Sequence, residues 1–338
     1  MFWVQIHTLL SCCKKIAEII ENTKGKAIVK ELYDNLHKEK NANVLVLITH
    51  HTKNYSFIEE SILTLMLPFK NTLPITLKKR CSYYKLLRDV IKEIKQDFIE
   101  MNRDPSEERS RQLLTQDRLD RKMNQNNVEE SDFDVNEKIV PFIKAFRSIE
   151  ITGQILKNRK GSLEKVVLKK MIIELYNTGF RMIGYLGGMI KEAEDELFLK
   201  IEEKITKNDT NQDIERKIYK FLQFISLPAC LGIFSKLIQS VGVKELREMY
   251  PDVAKTMDTP AAKIVSFSIN SYYGKINMKE LEQLSKEFEG NVVAFQILRA
   301  RVKSYIYNNY VHYKDKQKIA AYLNMEISPE LGQKDKGY

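Results

Sequence analysis

The adjacent pair His50-His51 is the first place in this sequence where side chains could do chemistry. Imidazole is a frequent metal ligand and the commonest acid–base group near neutral pH. Consecutive side chains point in different directions on a helix or a strand, so the two rings cannot easily ligate one metal ion. The other three histidines show no ligand spacing to this pair. We interpret the pair mainly as the polar end of an element, and retain His50 and His51 as candidate functional histidines.

Basic and tyrosine side chains alternate in the stretch 295–318, FQILRARVKSYIYNNYVHYKDKQK. Positive charge combined with aromatic rings can bind single-stranded nucleic acid by phosphate contacts and base stacking. Tyrosines at helical spacing also pack in protein cores with the hydroxyl left in water, and this interpretation is favoured. Nucleic-acid binding remains the alternative, and its candidate residues are Arg299, Arg301, Lys303, Tyr307 and Lys314.

The common catalytic motifs are absent from the sequence. It contains no phosphate-binding loop, no dinucleotide fingerprint, no G-x-S-x-G and no H-E-x-x-H. The four cysteines form no C-x-x-C pair and have no zinc-like spacing to histidine. The net charge of +10 comes from interspersed basic and acidic residues, which is typical of solvated helix faces. We therefore predict a non-enzymatic protein without a catalytic, cofactor or metal site.

The composition favours helices over strands. Gly and Pro are scarce, with 13 and 8 copies in 338 residues, whereas long apolar stripes at helical spacing are frequent. The sequence predicts a mainly α fold, a multi-helix bundle. The run VLVLIT, residues 44–49, is rich in β-branched residues and leaves one short strand open there. No partner strand is evident for it, so a helix is slightly favoured.

Several helix boundaries can be predicted from capping residues. Ser56 and Glu59 have the spacing of a capping box. Thr259 is a suitable N-cap before Pro260, and Gly274 is placed to follow the end of that helix. A further long helix is predicted over 76–101.

Glycine within a helix can permit close packing. Gly153 falls in the apolar stripe of the helix predicted after residue 139, where it would let a neighbouring helix approach closely.

The segment 102–136 is charged and poor in aliphatic residues, which is typical of a flexible linker. It predicts a division into an N-terminal helical module over 1–101 and a C-terminal bundle over 137–325, followed by a tail over 326–338. We expect the linker to be the first part of the chain that proteases cut.

The sequence shows no feature typical of export or membrane insertion. Its start has no basic region before the apolar stretch, unlike a signal peptide. The most apolar later segment, FLQFISLPACLGIF, is shorter than the ~20 residues that cross a bilayer. We expect a cytoplasmic protein without membrane contact.

Three further stretches are NVLVLITHHTKNYSFIEE, FRSIEITGQILKNRKGSLEKVVLKKMIIELYNTGFRMIGYL and DTPAAKIVSFSINSYYGKINMKELEQLSKEFEGNVVAFQILRARV. Taken together and in this order, they resemble the helical region that follows the nucleotide-binding core of large bacterial STAND NTPases. Proteins of that family are signal-transducing ATPases, many of them linked to anti-phage defence. Their phosphate-loop motifs have no counterpart in this sequence, so no catalytic residue is carried over. The resemblance implies a regulatory or sensor module acting through protein–protein contacts, with a separate ATPase or effector, or a second copy, as its partner.

Overall fold

The computed structural model describes residues 11–52, 54–65, 68–79, 82–93, 98–100, 105–106, 110, 114, 139–202 and 211–328. Within these ranges the fold is mainly α, as the sequence predicts. The predicted linker 102–136 lies almost wholly outside the described residues, so its flexibility and protease sensitivity stay predictions. None of the described helices is both long and apolar enough to cross a membrane.

The described residues form two compact units, and each unit draws on both sides of the predicted linker. The first contains the described residues of 11–76 and 139–269, and the second contains those of 77–135 and 270–328. The sequence placed residues 1–101 and 137–325 in separate modules. The structure groups them differently because the apolar faces of the early helices are buried against later ones.

The first unit is built around three long helices. Its helices are α1 (11–18), α2 (Thr23–Asp34), α3 (Glu39–His51), α4 (Tyr55–Leu65), α6 (Val140–Arg159), α7 (Lys165–Glu202), α8 (Asn211–Val241), α9 (Met249–Met257) and α10 (Pro260–Tyr272), whose last residues fall in the second unit; a 3₁₀ turn spans Lys244–Leu246. Helices α6, α7 and α8 pack against one another, α3 and α4 pack on α6, and α9 packs on α7. The core is aliphatic and aromatic, and includes the fully buried Leu175, Tyr176, Phe180 and Phe234.

The second unit contains α5 (Ser82–Glu93), α11 (Met278–Phe288), α12 (Val292–Asn308), α13 (Tyr313–Tyr322), β1 (Phe98–Glu100) and β2 (Glu326–Ser328). Helices α12 and α13 both pack on α11, and α12 also packs on α5. The two short strands pair in parallel, with Ile99 opposite Ile327. The predicted tail over 326–338 therefore begins with a paired strand.

The possible short strand at 44–49 is a wrong prediction, because these residues lie within helix α3. Ala42, Leu45, Ile48 and Thr49 are all buried. Their spacing of three, three and one is that of one face of a helix, whereas a strand would bury alternate residues. The β-branched side chains are tolerated because this face packs on α6.

The helix predicted over 76–101 is shorter than expected and begins only at Ser82. Leu77 is buried in a left-handed conformation, with φ of 59°, and its carbonyl accepts a hydrogen bond from Asn291 Nδ2 at 2.7 Å. That conformation cannot continue a right-handed helix. The end of the predicted helix also differs, since Phe98–Glu100 form β1.

The predicted caps have mixed outcomes. Thr259 Oγ1 accepts from the Ala262 amide and Pro260 opens α10, as expected. Helix α4 begins at Tyr55, before Ser56, and its cap is Asn54, whose Oδ1 accepts from the Phe57 amide. The predicted capping box therefore starts two residues too late.

Candidate functional site

The two adjacent histidines close α3, and both side chains are exposed. Their ring centroids are 5.4 Å apart with a T-shaped arrangement. The part of the chain that the structure describes contains no group of three or more His, Cys, Asp or Glu side chains able to hold a metal ion. His50 and His51 therefore form no ligand cluster with other described residues.

The backbone beside these histidines is held by an arginine that the sequence did not single out. Arg159 Nη2, at the end of α6, donates to the carbonyl oxygens of Thr49, His50 and Thr52 at 3.0, 2.7 and 2.6 Å. The last carbonyls of a helix have no partner within the helix and carry a partial negative charge. Arg159 on α6 thus caps the C-terminus of α3. The backbone at the two histidines therefore has a structural role.

Two of the five nucleic-acid candidates are engaged in the second unit. Arg299 donates from Nε to the Leu323 carbonyl and from Nη2 to the Asn324 carbonyl, each at 2.6 Å, and its guanidinium lies 4.9 Å from the Phe295 ring centroid. Arg301 is half-buried, and this burial lowers the pKa of its guanidinium below the usual value. Both arginines thus contribute to the packing around α12.

The other three candidates lie nearer the surface. Lys303 Nζ is 5.7 Å from the centroid of the Tyr307 ring, both side chains are half-buried, and Lys314 is exposed.

A concave site lies in the first unit, between α2 and α4. A cavity of about 620 Å³ is lined from α2 by Lys26, Val29, Lys30, Tyr33 and Asp34. The other lining residues come from α4 and the turns beside the two helices: Ile20, Glu21, Asn54, Phe57, Glu60, Ser61 and Thr64. The α2 and α4 positions recur at steps of three and four, so one face of each helix forms a wall of the cavity.

A second cavity, of about 500 Å³, extends the first towards α6. Tyr33, Asp34 and Thr64 line both cavities. The remaining lining residues are Leu36, Leu65, Pro68, Val140, Pro141, Lys144 and Ser148. We call the two adjoining cavities together the α2–α4 groove.

Two hydroxyl groups are buried at the base of the groove. Ser61 is 1% exposed, and the hydroxyl oxygen of Tyr33 is shielded from solvent. The two hydroxyls are close enough to interact, but neither makes a hydrogen bond of normal geometry with any described residue. Burial raises the pKa of Tyr33, as does the nearby charge of Glu60, while Ser61 lowers it in part. The tyrosine therefore stays protonated and can donate a hydrogen bond.

A neutral histidine lies beside the α6 end of the groove. Burial lowers the pKa of His37, and the positive charges of Lys144 and Lys38 lower it further. The Nδ1 atom of His37 is buried and makes no hydrogen bond to any described residue.

The groove combines an apolar base with a charged rim of both signs. Val29, Leu36, Phe57 and Leu65 supply apolar surface. The rim carries exposed side chains of both charges: Lys26, Lys30, Asp34 and Glu60. Such a site can bury an apolar ligand face and fix its orientation through a few polar contacts.

Sequence reasoning missed this groove because its walls come from segments far apart in the chain. The available signal was the apolar spacing within the individual helices, which does not indicate which helix faces meet around a cavity. No protein-family model, no curated protein and no solved structure matches this chain.

Proposed function

We propose that this protein is a non-enzymatic helical module that binds a protein partner through the α2–α4 groove. The observation that carries the proposal is the groove itself, an apolar channel with mixed charges along its rim and buried hydroxyl groups at its base. Protein-binding grooves of this kind accept an amphipathic helix, which lays its apolar face on the base.

The spacing of the lining residues favours a helical occupant. Lys26, Lys30 and Tyr33 follow one face of α2, and Phe57, Ser61 and Thr64 follow one face of α4. Each wall spans about eight residues, which corresponds to roughly 12 Å at ~1.5 Å per residue. About two turns of a partner helix would fill this length, with further contacts where the groove reaches α6.

The rim charges constrain the partner's sequence. Lys26 and Lys30 on α2 attract acidic side chains, whereas Asp34 at the end of α2 and Glu60 on α4 attract basic ones. We infer a partner helix with an apolar face, with acidic residues placed opposite Lys26 and Lys30 and basic residues placed opposite Asp34 and Glu60. Such complementarity sets orientation and specificity more than affinity.

The likeness of three stretches to the post-NTPase region of STAND proteins supports a regulatory or sensor role in phage defence. On that reading the partner is a separate ATPase or effector, or a second copy of this chain. This part of the proposal rests on the sequence resemblance alone.

A matched pair of threonine variants tests the groove. Thr64 lines both cavities and its hydroxyl donates to the Glu60 carbonyl, whereas Thr256 on α9 makes the same bond to Asp252 and is exposed away from the groove. We expect Thr64→Arg to obstruct the groove and Thr256→Arg to leave it open. Capture from the native host, read by mass spectrometry, should recover a partner with the unmodified chain and Thr256→Arg but not with Thr64→Arg.

The affinity of the chain for the captured partner, or for a second copy of itself, is then measured with purified proteins. Equal affinity of Thr64→Arg and Thr256→Arg would contradict the groove as the binding site.

The proposal that the protein is not an enzyme has its own test, because the purified chain should not turn over ATP, NAD or nucleic acid. Turnover at ordinary enzyme rates that a single substitution abolishes would refute it.

A further inference from the structure

The second unit exposes a group of aromatic and basic side chains that the proposed function does not use. Tyr310 is 79% exposed and Tyr313 is 59% exposed. Single exposed apolar residues are common on protein surfaces, but exposed aromatic rings grouped with basic residues often mark a binding surface. The group comprises Lys303, Tyr307, Tyr310, His312, Tyr313, Lys314 and Lys318, and we call it the tyrosine–lysine patch.

The patch follows the chain from the end of α12 through the connection at 309–312 to the start of α13. Tyr310 and His312 contact each other edge to face, with ring centroids 5.2 Å apart. Tyr313 opens α13, and the exposed Lys314 and Lys318 are four residues apart on that helix. Residues at this spacing share one helix face, so both ammonium groups lie on the same side of α13.

The helices that carry the patch are fixed to the rest of the second unit. Arg299 on α12 holds the carbonyl groups of Leu323 and Asn324 beyond the end of α13. Tyr305 donates from its hydroxyl to the Gly274 carbonyl at 3.2 Å. Tyr313 therefore projects from a supported helix, and Tyr310 from the short connection between two supported helices, which reduces the ordering that ligand binding requires.

The charge of the patch is strongly one-sided. Residues 299–318 contain six basic residues and one acidic residue, Asp315. Arg299 and Lys316 contribute to the packing, whereas Lys314 and Lys318 are exposed and Lys303 is half-buried. A polyanion with planar groups is the ligand that this combination fits best.

We propose that the tyrosine–lysine patch binds single-stranded nucleic acid, independently of the α2–α4 groove. Bases stack on Tyr310 and Tyr313, while the phosphates contact Lys303, Lys314 and Lys318. Stacking of this kind needs unpaired bases, because in a duplex the base faces are covered by neighbouring pairs. The patch therefore discriminates single strands from duplexes without reading sequence.

Fluorescence anisotropy with the full chain tests this proposal. The probes are a labelled 15-nucleotide oligouridine, the corresponding oligothymidine, and a duplex of the same length. We expect both single strands to bind more tightly than the duplex at low salt. With about three phosphate contacts, log K should fall with log salt at a slope of about −2.

Paired variants separate stacking from charge. Tyr310→Ala and Tyr313→Ala should each weaken single-strand binding about fivefold or more, whereas Tyr310→Phe and Tyr313→Phe should retain it because the ring face remains. Lys314→Glu with Lys318→Glu should weaken binding and flatten the salt dependence. The same double reversal at Lys170 and Lys255, exposed lysines of the first unit, is the charge-matched control.

Three results would overturn the proposal: no binding of either single strand at low salt, equal binding of the duplex, or unchanged binding by both alanine variants. Equal losses with the patch and control reversals would mean a general charge effect and would also overturn it. Preference for oligouridine or oligothymidine decides only whether RNA or DNA is the better ligand.

Discussion

Gly153 of α6 lies against the backbone of Ser240 of α8, so closely that a β-carbon at position 153 would stand 2.4 Å from the Ser240 carbonyl oxygen. The same β-carbon would be 2.9 Å from the Ser240 carbonyl carbon. Backbone atoms cannot rotate away as a flexible side chain can, so any larger residue must push the two helices apart. The absence of a side chain at Gly153 thus sets the distance between two principal helices of the first unit.

We therefore expect Gly153→Ala to destabilise the protein. Overpacking costs ~1–3 kcal/mol, and the better helix propensity of alanine returns only about 1 kcal/mol. Gly232 on α8 is a matched control, because a β-carbon there would meet nothing within 4 Å. Urea unfolding should show a lower midpoint for Gly153→Ala and a slightly higher one for Gly232→Ala. Shifts of the same sign would contradict the close approach of α6 and α8.

Arg159 should be worth more to stability than the neighbouring lysine. Its guanidinium reaches three carbonyls at the end of α3, and hydrogen bonds from a charged group contribute ~1.5–3 kcal/mol. Lys160 makes an ion pair with the exposed Glu245, and exposed pairs add little. Thermal unfolding should show a clear loss for Arg159→Met and little change for Lys160→Met. If both variants melted alike, the cap on α3 would be unimportant.

Part of this architecture could be predicted from the sequence, because it depends on local rules. The glycine in the stripe of α6 indicated a close helix approach, and Thr259 with Pro260 marked the start of α10. The helical state of 44–49 remained open because β-branched residues suit a buried strand and a buried helix alike. Only the packing of that face on α6 decides between them.

Other features depend on contacts between distant parts of the chain and have no local signal. Leu77 leaves the helical conformation where Asn291, more than two hundred residues later, binds its carbonyl. The α2–α4 groove likewise needs walls from three separate segments. The apolar stripe of a single helix can be predicted from its sequence, but not which helix faces meet around a cavity. For helices α12 and α13, the sequence indicated that basic and tyrosine residues alternate. It did not indicate which of the arginines would bind backbone carbonyls of the protein itself.

The pairing of Glu150 with Lys236 should make stability depend on pH. Burial alone would raise the pKa of Glu150, but the hydrogen bond and charge of Lys236, together with Arg147, hold it below its usual value. A lowered carboxyl pKa gives stability that is present above the unfolded-state value, ~4.3, and is lost as pH falls through the folded-state value. We therefore expect Lys236→Met to lower stability at pH 7 and to matter much less near pH 3.

Chemical denaturation at the two pH values measures this difference. Lys286→Met is the control, because Lys286 pairs with Glu282 four residues away on the exposed face of α11. A Lys236→Met effect of equal size at pH 7 and pH 3 would show that Lys236 acts through packing, not through its charge.

Two fully buried tyrosines give the last prediction, because one hydroxyl is hydrogen-bonded and the other is not. Tyr250 Oη accepts from the Val243 amide at 2.8 Å and donates to the Val241 carbonyl at 3.0 Å. Tyr176 Oη is equally buried and makes no hydrogen bond to any described residue. Tyr250→Phe leaves the buried Val243 amide without its hydrogen-bond acceptor and should lower the free energy of unfolding by ~1–3 kcal/mol. Tyr176→Phe removes a hydroxyl that has no hydrogen-bond partner among the described residues, so its effect on stability should be neutral or favourable. Urea unfolding of both variants checks the contrast, and a larger loss for Tyr176→Phe would show that its hydroxyl has a partner such as a buried water molecule.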